Sequence, residues 1–199
     1  MINKKESREK NLVVASSNPG KIKEFNNFLS TFQFNIISQP EKVCIEETGN
    51  TFLENARLKA LGVSKLTGEW TIADDSGLCI NALGGAPGIL SARYASTDQE
   101  RIDRVLKELE HSKDRSAYFC AAICLGGPDG EILLEVEGIC NGVIVKVPRG
   151  NFGFGYDPIF EVEGTNLTFA QMEASQKRAM GHRGKAFSLI EPLLRNVIS

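Results

Sequence analysis

Capped helix starts alternate with short apolar runs along this chain, and this alternation restricts its fold more than any other feature. Asn18-Pro19 places an N-cap residue and a good first helical residue directly after the apolar run at residues 12–15. Thr51 and Thr97 each stand three residues before a glutamate, which is the spacing of a capping box. The short runs are typical of buried strands, and the amphipathic stripes after the caps predict helices. We therefore expect an α/β protein with a mixed sheet.

Further strands and a last helix are predicted from hydrophobic runs and turn residues. The predicted strands lie at residues 70–73, 117–125, 131–137 and 142–147. A turn at residues 74–77 should end the first of them, and a glycine-rich turn at 126–130 should join the second and third into a hairpin. Pro192 should kink the last helix or shift its start. We expect one domain of residues 11–199, preceded by a polar leader at residues 1–10.

The charge balance and the cysteines restrict the partners and the compartment. The 199 residues carry 23 basic and 25 acidic side chains, without the basic surplus that proteins of long nucleic acids usually have. No apolar run is long enough for a membrane span or a secretion signal. The five cysteines include no C-x-x-C pair and are expected to be buried, reduced thiols. We expect a cytoplasmic protein that binds neither nucleic acid nor membrane and acts on a small molecule.

A helix start and two acidic pairs are the first candidate site residues. Residues 16–21, SSNPGK, lie at the predicted start of the first helix, where N–H groups, the helix dipole and Lys21 suit a phosphate. An ordinary capped helix would explain the same residues. Glu46-Glu47 and Asp74-Asp75 flank predicted elements, and two carboxylates from separate segments are what Mg²⁺ requires. Adjacent residues of an extended segment point to opposite faces, so alternation admits one residue of each pair without selecting which.

Two segments nearer the C-terminus are also candidates. Residues 153–158, GFGYDP, interleave aromatic residues with glycines, and such a loop can place a ring against a nucleobase. A glycine-rich connection with packed aromatics would give the same pattern. Lys177, His182 and Arg183 form a basic cluster ahead of the last helix, although a solvated stretch is the usual meaning of such a run.

Six motifs together, in the family's order, resemble the inosine/xanthosine triphosphate pyrophosphatase family. The motifs are S-x-N-x-x-K at 16–21, EETGNTFLENARLKA at 46–60, ADDSGL at 73–78, GGAPGILSARYA at 84–95, GFGYDPIF at 153–160 and HRGKA at 182–186. The resemblance covers about residues 11–198. It implies an elongated mixed β-sheet flanked by helices, two lobes with a central cleft, and a homodimer.

The resemblance also implies an activity and a set of site residues. The substrates would be ITP, dITP and XTP, hydrolysed to the nucleoside monophosphate and pyrophosphate, with Asp75 as general base and Glu46 and Asp75 as ligands of Mg²⁺. The substrate-binding residues that it implies are Ser16, Ser17, Asn18, Pro19, Gly20, Lys21, Ser76, Phe154, Gly155, Tyr156, Asp157, Lys177, His182 and Arg183. Gly181 replaces the family's usual serine, a change expected to affect selectivity among purines. A pyrophosphatase of pyrimidine or modified nucleotides, and a nucleotide-binding regulatory module without catalysis, are the two alternatives.

Overall fold

The computed structural model describes residues 10–198, in which six strands form one mixed sheet in the order β2-β1-β3-β4-β5-β6. The strands are β1 Lys10–Ala15, β2 Phe34–Ser38, β3 Trp70–Ile80, β4 Ser116–Gly126, β5 Ile132–Ile144 and β6 Phe160–Val162. The helices are α1 Pro19–Leu29, α2 Phe52–Thr67, α3 Asp98–Glu108, α4 Ala174–Met180 and α5 His182–Ile198. β1 runs parallel to β2 and β3, and the other neighbours are antiparallel. The predicted mixed α/β sheet is confirmed.

Side-chain alternation along β1 explains why helices cover both faces of the sheet. Val13 and Ala15 pack on the α2 side, whereas Leu12 and Val14 pack on the side of α1 and α5. We call these the α2 face and the α5 face.

A separate core cluster fills the other end of the sheet. It gathers Leu78 and Ile80 from the second half of β3, Val105 from α3, and Phe160 from β6. Because Ile72 of the same strand belongs to the α5-face cluster, the middle of β3 lies between two cores. This division agrees with the expected two lobes, and it leaves the acidic pair of β3 at their junction.

The predicted helix starts are confirmed by their caps. Asn18 Oδ1 accepts hydrogen bonds from the backbone N–H groups two and three residues ahead, at 2.9 and 3.2 Å. Thr97 and Glu100 form a complete capping box. Thr51 Oγ1 accepts a hydrogen bond from Glu54 N at 3.1 Å, which satisfies one of the free donors at the start of α2.

The predicted turn at residues 74–77 is wrong, because β3 continues without interruption from Trp70 to Ile80. Both aspartates keep their backbone pairing with β4. A buried strand normally excludes such side chains, but cations from α1, α2 and α5 pair with Asp74 and Asp75. Those partners are distant in sequence, so the turn-forming residue types misled the prediction.

The predicted strand at 142–147 is also wrong, because β5 is one strand that pairs with β4 from residue 132 to residue 143. The hairpin of β4 and β5 around residues 126–130 is confirmed. Pro192 lies inside α5 and does not shift its start, which is at His182.

The predictions about the polar leader and about the burial of the cysteines agree with the structure only in part. Residues 1–9 of the expected leader lie outside the described part of the chain, and Lys10 is the first residue of β1. All five cysteines are free thiols, and four are buried, but Cys44 is exposed, contrary to expectation. Between residues 10 and 198 no helix is long and apolar enough to cross a membrane.

The start of α5 lies directly against β5, because Gly138 has no side chain. A Cβ atom at this position would lie 2.3 Å from both Ala186 N and His182 O, closer than real Cβ atoms approach. This contact places His182 and Arg183 over the middle of the sheet, beside β3.

Candidate functional site

Asp74 and Asp75 lie side by side in the middle of β3, with side chains on opposite faces of the sheet. They are 2% and 7% exposed. β1 ends where Ala15 pairs with Ala73, and the β1-side edge of β3 is next taken up at Cys79, which forms a bridge with Pro87. Between these points, at residues 74–76, β3 is paired with β4 alone among the described strands. This open edge connects the two faces at the position of the acidic pair.

Two cations hold Asp74 on the α5 face. Lys21 Nζ lies 2.7 Å from Asp74 Oδ1, and Arg183 Nε lies 3.2 Å from Oδ2. Arg183 also donates a hydrogen bond from NH2 to Ser76 Oγ at 2.7 Å. Burial alone would raise the pKa of Asp74, but the charges of Lys21 and Arg183 outweigh burial and hold that pKa far below its usual value. Asp74 is therefore an ionised carboxylate that fixes two of the predicted substrate residues.

A second carboxylate, Glu24 of α1, extends this network. Glu24 Oε2 lies 3.0 Å from Arg183 NH1, and its Oε1 lies 3.2 Å from Lys177 Nζ. Lys177 also pairs with Asp157 at 2.7 Å, and Asp157 Oδ2 accepts a hydrogen bond from Phe154 N at 2.9 Å. Burial raises the pKa of Asp157, although Lys177 partly opposes this effect. Lys177 and Arg183 of the basic cluster are thus paired rather than solvated, and Lys177 joins them to the glycine-rich loop.

Asp75 has a different environment on the α2 face. Lys59 Nζ lies 3.2 Å from Asp75 Oδ1, and Asn55 Nδ2 donates a hydrogen bond to Oδ2 at 3.2 Å. Lys59 also pairs with Glu47 at 2.7 Å. Burial raises the pKa of Asp75, although the charge of Lys59 opposes the rise. A carboxylate with a raised pKa accepts protons more readily, so Asp75 suits the role of a base.

Glu46 and Glu47 face opposite ways, as alternation predicts. Glu46 is exposed, whereas Glu47 is partly buried and lies 3.0 Å from Arg93 NH1. The structure therefore brings Glu47 next to Lys59 and Asp75, in place of the Glu46 that the family resemblance selects. The metal role of Glu46 stays a prediction.

A cavity of about 950 Å³ opens on the α5 face, between α1, α4 and the loop at residues 149–158. The predicted residues in its wall are Gly20, Phe154, Lys177, His182 and Arg183. Gly181 also lines it, and a Cβ atom there would lie 2.5 Å from Lys177 O, so a serine at this position requires a backbone shift.

His182 stands out in this wall because its polar atoms have no partner. The residue is 3% exposed, and its ring stacks on Phe119 with centroids 4.7 Å apart. Neither ring nitrogen has a hydrogen-bond partner among the described residues. Burial and the nearby charges of Arg183 and Lys177 lower the pKa of His182 well below its usual value. The ring is therefore a neutral imidazole, with one donor and one acceptor left for a ligand.

Other predicted residues lie outside this wall. Tyr156 is buried in the core, and its hydroxyl donates a hydrogen bond to Ser91 O at 2.9 Å. Gly155 lines a second, smaller cavity of about 460 Å³ on the other side of the loop. Asn18 and its neighbours at residues 16–19 form the cap of α1, and the N–H groups of Gly20 and Lys21 are occupied by the Asn18 side chain. The first turn of α1 therefore offers fewer free donors than predicted.

The residues around Asp75 fit a divalent cation that the substrate helps to hold. Mg²⁺ in proteins is commonly bound by one or two carboxylates, with water and substrate phosphates as its other ligands. Asp75 and Glu47 already share one cation, the Lys59 ammonium group. Among the described residues, no group of three or more metal-ligating side chains could hold an ion by itself.

Three residues of the site, Glu24, Asn55 and Lys59, were given no role by the sequence analysis. Glu47 and Asp74 were candidates as members of the two acidic pairs, but the resemblance selected their neighbours. Spacing on the helices carried a usable signal, because residues three or four apart share one face. Glu24 follows Lys21 by three residues on α1, and Lys59 follows Asn55 by four on α2.

The fold and the site define an α/β protein with a large cavity on one face of its sheet, beside a buried cluster of paired charges. The sequence model of the Ham1 family matches residues 12–192. The chain belongs to the Ham1 family.

Relatives and solved structures agree with this assignment. The chain is 56% identical over 188 residues to the dITP/XTP pyrophosphatase of Parasynechococcus marenigrum, covering 94% of this chain and 96% of that one. It is 55% identical over 187 residues to a dITP/XTP pyrophosphatase of Prochlorococcus marinus, covering 94% of each. The structure of a HAM1 protein from Coxiella burnetii superposes with a TM-score of 0.86 at 42% identity, covering 94% of this chain and 99% of that one. The Staphylococcus aureus Ham1 protein gives a TM-score of 0.84 at 40% identity, with the same coverage.

Proposed function

We propose that this protein hydrolyses the triphosphates of non-standard purine nucleosides, ITP, dITP and XTP, to the nucleoside monophosphate and pyrophosphate. Relatives named dITP/XTP pyrophosphatases, 55% and 56% identical over nearly the whole chain, support this activity. The observation in this chain that carries the proposal is His182, a buried neutral ring with two unpaired nitrogens in the wall of a large cavity. Arg183, which lines the same cavity, is bonded to Asp74 and Ser76 of β3, the two neighbours of Asp75 in the strand.

The cavity on the α5 face would hold the base. Hypoxanthine and xanthine carry a keto oxygen at position 6, where adenine carries an amino group. The imidazole N–H of His182 can donate to the keto oxygen, whereas an adenine amino group would face that donor with another donor. A site built to pair with one such group can discriminate by about 10⁴–10⁵-fold against an analogue that leaves it unpaired. The ring of Phe154 would cover the face of the base.

The phosphates would lie at the open edge of β3. Lys21 on the α5 face and Lys59 on the α2 face approach this edge from either side of the sheet. Both ammonium groups pair with carboxylates of β3, so a bound triphosphate would share cations that are already fixed in place. Ser76 and Arg183, joined by a hydrogen bond of 2.7 Å, flank the same edge.

Asp75 would act as the general base of the hydrolysis. It takes a proton from a water molecule, whose oxygen forms a new bond to the α-phosphorus. The bond between that phosphorus and the bridging oxygen breaks, and pyrophosphate leaves with the electron pair. Asn55 and Lys59 hold the two oxygens of Asp75, so the carboxylate keeps one orientation. Lys21 and Lys59 would stabilise the negative charge on the leaving pyrophosphate.

Magnesium dependence is part of the proposal. Asp75 and Glu47, or Glu46 as the resemblance implies, would hold Mg²⁺ together with the phosphates. The ion would neutralise phosphate oxygens and polarise the α-phosphorus.

A substrate panel tests the proposed activity. Pyrophosphate release would be measured with ITP, dITP, XTP, dUTP, UTP, GTP and ATP, with and without Mg²⁺. We expect turnover of the first three in the presence of Mg²⁺ and turnover at least about 100-fold lower for ATP, in line with unpaired donors in the pocket. Preference for UTP or dUTP would replace the proposal by a pyrimidine pyrophosphatase. Nucleotide binding without turnover would indicate the regulatory module.

We also infer a cytoplasmic homodimer. The five free thiols are typical of a reducing compartment. Ile139 and Val143 lie four residues apart on one face of β5, at 48% and 41% exposure, and such a sheet face suits a second copy. Sedimentation of the protein and of Ile139→Glu tests the dimer: the variant should shift to a monomer, and a monomeric wild type would contradict the inference.

A further inference from the structure

A carboxylate outside the large cavity holds the loop that forms part of its wall. Asp98, the first residue of α3, accepts a hydrogen bond from Gly155 N at 2.7 Å with its Oδ2 atom. Its other oxygen, Oδ1, lies 2.7 Å from Arg101 NH1, and Arg101 Nε in turn donates to Ala95 O at 3.0 Å. The orientation of the carboxylate is therefore fixed on the α3 side. Hydrogen bonds to a charged acceptor are shorter and stronger than neutral ones.

The ends of the loop are held by other contacts, among them hydrogen bonds from Phe152 N to Ala170 O at 3.0 Å and from the Tyr156 hydroxyl to Ser91 O at 2.9 Å. The bond to Asp98 is the contact that reaches the turn at residues 153–155 from α3. Gly153 and Gly155 adopt φ values of 81° and 61°, in the left-handed region that favours glycine. The two successive N–H groups of Phe154 and Gly155 point to two different carboxylates, Asp157 on the cavity side and Asp98 on the α3 side. The backbone between these two bonds carries the Phe154 ring, so their lengths and directions set where the ring stands.

The Phe154 ring lies between two parts of the cavity wall, the basic residues of α4 and α5 and the start of α1. Its ring lies 4.9 Å from Lys177 Nζ and 5.6 Å from Arg183 Cζ. A Cβ atom on Gly20, at the start of α1, would lie 2.5 Å from the ring, so the ring closes directly over the turn that precedes α1. A shift of the loop would open this contact and widen the cavity.

Asp98 lines the smaller cavity behind the loop and is not part of the wall of the large cavity. We infer that Asp98 is a positioning residue: through Gly155 it sets the Phe154 ring, and thereby the affinity of the site for the base, without taking part in the chemistry. This inference rests on the proposed function for its substrate, and on the contact between Asp98 and Gly155 for its physical basis.

Kinetics with Asp98→Ala test the inference. We expect KM for ITP to rise roughly tenfold, which corresponds to about 1.4 kcal/mol, while kcat stays within about twofold. Inosine monophosphate, a probe of the base side, should inhibit correspondingly more weakly. Inorganic pyrophosphate, a probe of the phosphate side, should inhibit as it does in the wild type. Asp98→Asn keeps an oxygen acceptor for Gly155 N and should recover most of the affinity.

Asp103→Ala is the matched control, because Asp103 is an exposed carboxylate on the same helix whose partner is Gln99. This variant should leave unchanged the KM for ITP and the inhibition constants of inosine monophosphate and pyrophosphate. Equal weakening of both inhibitors in Asp98→Ala would show a general disturbance of the site and would overturn the inference. An unchanged KM, or no recovery in Asp98→Asn, would overturn it as well.

Amide hydrogen exchange separates this inference from the proposed function. Exchange at Gly155 N–H should be about tenfold faster in Asp98→Ala than in the wild type or Asp103→Ala, because a broken hydrogen bond exposes the amide. Unchanged exchange would remove the physical basis of the inference, whatever the substrate. If the wild type does not hydrolyse ITP but exchange changes as expected, the proposed function fails while the contact stands. The inference about base affinity would then be rejected.

Discussion

Asp74 and Asp75 are the same residue type at adjacent positions of one strand, yet their surroundings give them opposite properties. Asp74 lies between Lys21 and Arg183, and these charges lower its pKa far below the usual value. Asp75 is nearly as buried, but burial dominates there and raises its pKa. The comparison shows that the partners on each face shift the pKa of the same residue type in opposite directions, which supports Asp75, and not Asp74, as the proposed base.

Removing the base from the α2 face should have the largest effect. Asp75→Asn keeps the shape of the side chain but cannot accept the proton, so turnover of ITP should fall by roughly 10³-fold, within the usual range for general bases. Binding of ITP, measured by calorimetry, should change little. Turnover close to that of the wild type would remove Asp75 from the role.

The matching change on the α5 face should act on stability first. Asp74→Asn removes the carboxylate that pairs with the buried charge of Lys21 and leaves Arg183 with Glu24 alone, which should cost about 3–5 kcal/mol in the free energy of unfolding. Urea denaturation measures this loss. Asp75→Asn, as the control, should lose clearly less. Equal losses would mean that the two faces do not differ in the way proposed.

His182, on the α5 face, should make the stability of the protein depend on pH. The pKa of His182 in the folded protein is lowered well below the usual histidine value of 6.5, so below pH 6.5 the unfolded chain binds a proton that the folded protein does not. Stability is therefore lost as pH falls, by up to about 1.4 kcal/mol for each pH unit.

His182→Phe isolates this contribution. The variant keeps a ring against Phe119 and removes two unpaired polar atoms, so it should be more stable than the wild type. Its advantage in urea denaturation should grow between pH 6.5 and 5, by roughly 2 kcal/mol. The groups that face His182 are Arg183, Lys177, Asp74 and Lys21, and they are the same in both proteins. If the difference in unfolding free energy between His182→Phe and the wild type did not change with pH, His182 would not be a neutral, buried imidazole. His111→Gln is the control, because His111 is exposed, and it should match the wild type at every pH.

The smallest expected effect concerns the second carboxylate on the α2 face. Glu47→Gln should raise the Mg²⁺ concentration for half-maximal activity roughly tenfold, equivalent to about 1.4 kcal/mol, because Glu47 shares Lys59 with Asp75. Glu46→Gln should raise it less than about threefold, since its side chain is exposed. A larger effect of Glu46→Gln than of Glu47→Gln would support Glu46, the Mg²⁺ ligand that the resemblance implies.

Features with local causes were predictable from the sequence. The caps at Asn18 and Thr97 depend on residues within three positions, and both are confirmed. The mixed sheet and the hairpin of β4 and β5 were predicted from apolar runs and turn-forming residues, which are local signals as well. The family resemblance added the choice of Asp75, which alternation alone could not make.

Features that depend on distant partners were not predictable. The residues at 74–77 have turn-forming types, and they form a strand because α1, α2 and α5 supply the cations that neutralise both aspartates. The contact between Asp98 and Gly155 joins residues 57 positions apart, and nothing in either local sequence indicates it. The same is true of Tyr156, whose place in the core is set by Ser91.

The absence of a side chain at Gly138 has a consequence for how variants of this protein would be interpreted. Any larger residue there would push against the backbone of α5 and displace His182 and Arg183 together. A genetic screen for altered base preference should therefore recover changes at residue 138, although this residue lies in the sheet and lines neither cavity. Ranking variants by their distance from the large cavity would miss residue 138, although the proposed recognition of the base depends on where this residue lets His182 lie.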